Sequence, residues 1–276
     1  MRKIGGHVSI AGGITNAISN TQKIGGNCLQ IFAGSPRLWS RKLFDMSEVE
    51  KFNSLINENN LNPVFIHALY LVNLASDNPE LVEKSVESLI VDTKNGDLIN
   101  SAGVVVHIGS HQGRGFDSVK EQIITSIKQI LESTEKTSLL LETDAGQNGK
   151  IGSIEEISYL IKEVNSSRLG ICFDTAHLFE GGLDLREKTK VANFVQELTE
   201  QNILDKVLCI HLNDSATDLD SHRDNHADLG NGKIGLDGLA NFVNHSDLIK
   251  LPLILETPGP DKMGPNFENI SIAKSL

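Results

Sequence analysis

Short runs of apolar and β-branched residues alternate along the chain with longer stretches in which apolar residues recur at helical spacing. Eight such runs occur, at residues 3–8, 28–32, 63–67, 104–107, 138–142, 169–174, 207–212 and 253–256. Apolar strands that are each followed by a helix are typical of a parallel sheet covered by helices. The pattern therefore predicts an α/β fold, a (β/α)8 TIM barrel that forms a single domain over residues 1–276.

Three of the helical stretches carry recognisable start signals. Ser47 and Ser153 each precede a Glu by three residues, which is the spacing of a capping box, and Pro79 suits the first turn of a helix. An open, doubly wound sheet is the structural alternative to a closed barrel. No glycine-rich dinucleotide fingerprint follows the first strand in the required form, and this favours the barrel.

Acidic and imidazole side chains stand where the predicted strands end. Six consecutive strands end on or beside such a residue, namely His67, His107, Glu142, Asp174, His211 and Glu256. The loops that follow add His177, Asp224 and His226. A single His at a strand end is usually a hydrogen-bonded core residue. Because the carboxyl ends of barrel strands converge on one rim, a succession of them predicts a shared pocket.

A pocket of this composition points to metal ions. Four carboxylates and five imidazoles crowded together would be costly without metal, because buried charges need partners. Imidazole and carboxylate ligands without cysteine suit zinc, manganese or iron. Nine ligands are too many for one ion and suffice for three if one carboxylate bridges. Sites of this kind clamp both oxygens of a phosphoryl transfer, so the constellation favours phosphate-ester hydrolysis.

Charge and cysteine content change this picture only slightly. The formal charge of −11 argues against a nucleic-acid partner, although bound metal ions would be the largest local charges in the site. Cys28, Cys172 and Cys209 each lie in an apolar run, which predicts reduced, buried thiols and a cytoplasmic location. No apolar run approaches the roughly 18 residues of a membrane span, and the first residues lack the apolar stretch of a secretory signal.

The chain resembles the endonuclease IV family over nearly its whole length, from Ile4 to about Pro260. The resemblance is carried by GHVS at 6–9, AGG at 11–13, HIGSH at 107–111, LET at 141–143, AGQ at 145–147, CFDTAH at 172–177, HLND at 211–214, LGNGKIG at 229–235 and ILET at 254–257. Their order along one chain makes the match specific. It implies a DNA-repair endonuclease that hydrolyses the phosphodiester 5′ to an abasic site, leaves a 3′-hydroxyl and also removes 3′-blocking groups.

The resemblance further implies a cluster of three zinc ions, with manganese as an alternative at one position. The first ion would be held by His67, His107 and Glu142. Glu142 would bridge to a second ion, which would also be held by Asp174, His211 and Glu256. The third ion would be held by His177, Asp224 and His226. Glu256 and Glu142 are the expected catalytic residues, with Glu256 orienting the nucleophile.

The implied partner is double-stranded DNA with an abasic site, bound by a monomer that needs no protein partner and no membrane. A damaged nucleotide must leave the helical stack before a pocket of this kind reaches it. The family fills the vacated space with wedge side chains, and Arg37, Tyr70 and Leu71 occupy those positions. The alternative is that Tyr70 and Leu71 pack on the rim while Arg37 stacks on Trp39.

Two departures from the family's pattern lie near the predicted ligands. Asn225 stands between two of them where a basic residue is common, and Asp144 adds a carboxylate two residues after Glu142. Arg223 is a possible substitute for the missing cation. Two rival functions stay open, a metal-dependent sugar isomerase or epimerase on the same barrel, and a non-catalytic DNA-binding or metal-binding protein.

Overall fold

A computed structural model describes residues 2–276 and contains ten strands. They are β1 Ile4–His7, β2 Cys28–Phe32, β3 Val64–His67, β4 Gly103–Val106, β5 Ser138–Glu142, β6 Leu169–Asp174, β7 Val207–His211, β8 Asp214–Ser215, β9 His226–Ala227 and β10 Leu253–Leu255. Eight of them pair in parallel as a closed barrel, in the order β1-β10-β7-β6-β5-β4-β3-β2. The two-residue strands β8 and β9 form a separate antiparallel pair. The predicted barrel is thus confirmed, and the open sheet is excluded.

Helices follow the strands and cover the outside of the barrel. They are α1 Asn16–Ile24, α2 Met46–Asn59, α3 Pro79–Ile99, α4 Lys120–Glu132, α5 Ile154–Val164, α6 Thr175–Glu180, α7 Lys188–Glu200, α8 Gly235–Val243 and α9 Phe267–Ser275. Three short 3-10 turns lie at Phe116–Ser118, Gln147–Gly149 and Leu204–Lys206. The long helix α3 buries apolar and polar side chains alike, so its inner face also carries side chains that can bond to neighbouring loops.

The predicted helix starts hold in two of three cases. Ser153 and Glu156 form the capping box of α5, and Pro79 lies in the first turn of α3 behind the cap Asn78. The capping box predicted at Ser47 is wrong. The side chain of Asp45 accepts from the backbone N–H of Ser47 instead, so α2 begins at Met46, two residues earlier than a Ser47 cap would place it. Asp and Ser are comparable caps, and sequence spacing alone did not separate them.

The environment predicted for the cysteines is confirmed. Cys28, Cys172 and Cys209 are free and fully buried inside the barrel, where burial raises the pKa of each thiol. A raised pKa keeps these groups as unreactive thiols. Among residues 2–276, no helix combines the length and the apolar character that crossing a bilayer requires.

Candidate metal centre

The polar rim of the barrel follows from the two-residue period of its strands. A residue that faces the barrel interior is followed two positions later by another that faces the same way. The interior layer consists of Cys28, Phe65, Val105, Leu140, Cys172, Cys209 and Ile254. The positions two residues further on hold Gln30, His67, His107, Glu142, Asp174, His211 and Glu256. Strand β1 adds His7 in the same way, so all eight strands of the barrel contribute a polar side chain to one ring.

The residues predicted for the first ion are neighbours in this ring. Nε2 of His67 lies 3.2 Å, and Nε2 of His107 lies 3.3 Å, from Oε2 of Glu142. One atom from each of the three comes within 4.8 Å of the others. Glu142 and His67 are buried, and the side chain of His107 is 20 % exposed. The cluster is therefore closed from below and open towards the rim.

The other oxygen of Glu142 belongs to the second predicted cluster. Nδ1 of His211 lies 2.8 Å from Oε1 of Glu142, 3.3 Å from Oε2 of Glu256 and 3.9 Å from Oδ2 of Asp174. These four residues also form a group whose ligand atoms lie within 4.8 Å of one another. Glu142 thus directs one oxygen at each cluster, as a bridging ligand would.

The third cluster lies above α6. Nε2 of His177 is 3.2 Å from Oδ1 of Asp224 and 3.3 Å from Nε2 of His226. Asp174 also reaches this cluster, since its Oδ2 lies 3.5 Å from Nε2 of His226. The side chain of Asp224 is 31 % exposed, so the third cluster is the one most open to solvent. Sequence reasoning brought His177, Asp224 and His226 together and missed the second contact of Asp174.

Hydrogen bonds on the outer nitrogens decide which imidazole nitrogen faces the clusters. In each imidazole, the outer nitrogen is the one that points away from the clusters. Nδ1 of His67 donates to the Ala68 carbonyl at 2.7 Å, and Nδ1 of His177 donates to the Thr143 carbonyl at 2.8 Å. Nε2 of His211 donates to the amide oxygen of Gln30 at 2.9 Å. A neutral imidazole that donates from one nitrogen has a lone pair on the other. These lone pairs face carboxylate oxygens, and such an arrangement needs a cation between them.

The ionisation of the clusters supports the same conclusion. Burial alone would raise the pKa of the Glu142 and Glu256 carboxyls, yet nearby imidazoles, led by His107 at Glu142 and by His211 at Glu256, hold both pKa values well below the usual range. Burial would lower the pKa of His177, but the carboxylate of Asp174 leads a set of acidic neighbours that raise it well above its ordinary value. The carboxylates are therefore anions, and the clusters attract either protons or metal ions.

The spacing of the donor atoms suits a bound tetrahedral metal ion. Two atoms bound to one tetrahedral zinc ion lie about 3.3 Å apart, given metal–ligand bonds of about 2.0–2.2 Å. The nitrogen–oxygen pairs around Oε2 of Glu142 lie 3.2 and 3.3 Å apart, and the two imidazole nitrogens of His177 and His226 lie 3.3 Å apart. With all-nitrogen and oxygen donors and partnered outer nitrogens, the residues present fit bound metal.

Two amide side chains missing from the sequence prediction hold the carboxylates in place. Nε2 of Gln30 donates to Oε1 of Glu256 at 2.7 Å, while its oxygen accepts from His211. Nδ2 of Asn213 donates to Oδ2 of Asp174 at 2.7 Å, and its oxygen accepts from the backbone of Glu256. Gln30 was detectable as the single polar side chain in the otherwise apolar strand β2.

The departures at Asp144 and Asn225 are connected through a lysine. Oδ2 of Asp144 lies 3.0 Å from Nδ1 of His107 and 3.2 Å from Nζ of Lys150. The same Nζ lies 3.6 Å from Oδ2 of Asp224. A cation from the loop after β5 therefore reaches the third cluster, where Asn225 brings none. The carboxylate of Asp144 lies beside the imidazole of His107, in the position from which carboxylates support metal-binding imidazoles.

A cavity of about 1000 Å³ opens above the clusters. Its wall includes Tyr70 and Glu256, whereas Arg37 and Leu71 lie outside its lining. Tyr70 is 61 % exposed and Leu71 is 38 % exposed, and the ring of Tyr70 meets Phe32 edge-on at 5.3 Å. Tyr70 is thus an exposed aromatic side chain in the wall of the cavity, where an entering ligand could contact it.

Comparison with known proteins extends over the whole barrel. Residues 18–274 match the model of the xylose isomerase-like TIM barrel family. A protein named probable endonuclease 4 from Halothermothrix orenii is 41 % identical over 266 residues, which are 94 % of this chain and 96 % of that protein. Another of the same name from Haloarcula marismortui is 36 % identical over 100 % of this chain and 99 % of its own.

Solved structures divide into two groups. Endonuclease IV from Thermus thermophilus has a TM-score of 0.86 and 35 % identity, with coverage of 99 % of this chain and 100 % of that one. A D-tagatose 3-epimerase-like protein has a TM-score of 0.70 but only 19 % identity, with coverage of 99 % and 94 %. The second likeness shows the barrel fold alone.

Proposed function

Because the chain belongs to the endonuclease IV family, we propose that its rim hydrolyses the DNA phosphodiester on the 5′ side of an abasic site. The protein is a DNA-repair endonuclease, a phosphoric diester hydrolase. The product would carry a 3′-hydroxyl, and the same site would remove 3′-blocking groups. The observation that carries this proposal is the set of three adjoining His and carboxylate clusters, of which the first two share the oxygens of Glu142 and the last two share Asp174.

We propose three zinc ions at these clusters. The first ion would be held by His67, His107 and Glu142, and the second would be held by Glu142, Asp174, His211 and Glu256. The third ion would be held by His177, Asp224 and His226. Bound zinc would supply positive charge against the phosphate oxygens and lower the pKa of a water molecule. Since the chain is acidic, this local charge is what would attract a DNA backbone to the rim.

Glu256 and Glu142 are the proposed catalytic carboxylates, with different tasks. Of the carboxylates in the second cluster, Glu256 is the one that lines the cavity, so it is placed to contact an entering phosphate and an attacking water. Its Oε1 is fixed by Gln30 at 2.7 Å and lies 3.1 Å from Nδ1 of His7. Glu256 would accept a hydrogen bond from the water and orient it, while Glu142 stays buried and joins two clusters.

DNA contacts are proposed for Tyr70, which lines the cavity, and for Arg37 and Leu71, which each follow a lining residue in the chain. The backbone N–H of Tyr70 donates to the carbonyl of Pro36 at 3.2 Å, so the loops that carry these residues are joined. An exposed aromatic ring can stack on a base next to the abasic nucleotide. We further propose that the protein works as a monomer in the cytoplasm, in agreement with its three free thiols.

Replacing Tyr70 with alanine should weaken abasic-site recognition. Loss of a base-stacking ring should raise the Kd for abasic duplex roughly tenfold or more, with a smaller change for undamaged duplex. Binding of both duplexes is measured by fluorescence anisotropy at fixed salt. Phe267→Ala is the matched control, because Phe267 is 64 % exposed and lies outside the cavity wall. Equal weakening on both duplexes would assign Tyr70 to general packing.

Replacing Asp144 with asparagine should weaken metal binding at the His107 position. The carboxylate beside Nδ1 of His107 increases the basicity of the imidazole, and its removal should lower zinc affinity about 10-fold to 100-fold at one site. Competition with a chromophoric chelator measures this affinity. Asp184→Asn is the control, since Asp184 pairs with Arg186 rather than with a cluster residue. Unchanged affinity in Asp144→Asn would show that Asp144 does not support His107.

A further inference from the structure

A buried ion pair lies beneath the loop of residues 33–45, away from the three clusters. Nε of Arg41 lies 3.2 Å from Oδ1 of Asp92, and the two side chains are 3 % and 0 % exposed. Arg41 belongs to the loop between β2 and α2, and Asp92 lies on the inner face of α3. The pair therefore connects the loop that carries Arg37 with the body of the barrel.

This pair is a poor source of stability. Nε and Nη2 of Arg41 and both carboxylate oxygens of Asp92 are buried and make no hydrogen bond within residues 2–276, so the two side chains attract one another by charge alone. Burial raises the pKa of Asp92 to about 7, although the charge of Arg41 opposes the rise. A carboxyl whose pKa is raised by folding is harder to ionise in the folded protein than in the unfolded chain. Keeping Asp92 ionised in the folded protein therefore lowers the free energy of unfolding. A benefit other than stability would explain the pair.

The remaining contacts of Arg41 indicate what that benefit is. Its Nη1 donates to the carbonyl of Ser35 at 2.9 Å, and the next carbonyl, that of Pro36, accepts from the backbone of Tyr70 at 3.2 Å. These carbonyls belong to the two residues that precede Arg37. The backbone that leads into Arg37 is therefore held from two sides, by Arg41 and by the loop that carries Tyr70.

Helix α3 holds the far end of the same loop. Asn95, three residues after Asp92, donates to the carbonyl of Lys42 at 3.0 Å and accepts from the N–H of Phe44 at 2.8 Å. Two buried polar side chains on one face of α3 thus bind the loop at Arg41 and at the segment after it. A loop with these attachments is ordered before DNA arrives, which lowers the entropic cost of binding.

We propose that Arg41 and Asp92 are positioning residues that hold the loop of residues 33–45 in the conformation from which Arg37 contacts DNA at an abasic site. This inference rests on the proposed function. Neither residue lines the cavity above the clusters. Their effect would therefore fall on recognition of the damaged duplex and leave the chemical step largely intact.

The test compares Arg41→Met with the double variant Arg41→Met/Asp92→Leu. Arg41→Met should raise KM for abasic duplex about tenfold, with kcat within about threefold of wild type. The double variant replaces the pair with apolar groups and should regain the Tm of wild type. It should still show the raised KM, because the bond to Ser35 is not restored. Arg41→Lys should fall between wild type and Arg41→Met.

Arg168→Met is the matched control. Arg168 is a partly buried arginine that donates to Thr134 at 3.0 Å and to the carbonyl of Leu131. It lies just before the start of β6, at the end of the barrel opposite to the loop of residues 33–45. It should lower Tm without raising KM. A wild-type KM in the double variant would overturn the inference. So would an Arg41→Met protein whose Kd for undamaged duplex rises as much as its Kd for abasic duplex. A wild-type protein that does not cleave abasic DNA would instead reject the proposed function.

Discussion

Glu256→Gln is expected to fold normally and to lose abasic-site cleavage by on the order of 10³-fold. In the wild-type protein, Nε2 of Gln30 donates to Oε1 of Glu256 at 2.7 Å. Glutamine has nearly the same shape as glutamate, so its side-chain oxygen can still accept this hydrogen bond. It lacks the negative charge that faces His211 at 3.3 Å and the acceptor oxygen that would orient water in the cavity. The loss should therefore appear in kcat rather than in the binding of DNA.

Single-turnover cleavage of an abasic duplex measures this loss, and Tm and zinc content per chain accompany it. Glu156→Gln is the control substitution, because glutamine also serves at the last position of the capping box that Glu156 forms with Ser153. That variant should cleave at the wild-type rate. If Glu256→Gln cleaves as fast as wild type while zinc content is unchanged, Glu256 does not orient the nucleophile.

Glu142→Gln is expected to remove more metal than any other single substitution. The side chain is completely buried, with Oε2 facing the first cluster and Oε1 facing the second. An amide presents one oxygen and no negative charge, so it can neither bridge the two clusters nor balance the charge of the ions that both would hold. Zinc content should fall from about three to about one ion per chain, and cleavage should become undetectable.

Metal content is measured by elemental analysis after dialysis against a weak chelator. The remaining ion should be the one at His177, Asp224 and His226, because that cluster does not contain Glu142 among its closest ligands. His177→Ala in the Glu142→Gln background should then remove the last ion. Retention of about three ions by Glu142→Gln would show that the first and second clusters do not share this carboxylate.

Much of this arrangement follows from the sequence because strand periodicity is local. A residue such as Leu140 that faces the barrel interior places Glu142 on the same face, and Cys172 places Asp174 in the same way. Once the strands close into a barrel, these ends have to meet at one rim. The eight strands and the neighbourhood of the six predicted ligand residues at strand ends could therefore be anticipated.

Contacts between distant loops could not be anticipated in this way. The pairing of Asp92 with Arg41 joins a helix face to a loop 51 residues earlier in the chain, and no spacing rule relates the two. Lys150 reaches Asp224 only because the loop after β5 and the loop between β8 and β9 lie side by side at the rim. The cap of α2 was assigned to Ser47 instead of Asp45 because both residue types satisfy the same backbone groups.

The most direct test of metal-dependent abasic-site cleavage is incision of a duplex oligonucleotide with one synthetic abasic site, next to a matched undamaged duplex. Purified protein of known metal content is assayed as isolated, after chelation, and after zinc is restored. We expect a cut 5′ to the abasic site that leaves a 3′-hydroxyl, disappears on chelation, returns with zinc and is absent from the undamaged duplex. Failure to cut the abasic duplex by protein that carries about three metal ions per chain would contradict metal-dependent cleavage at this rim.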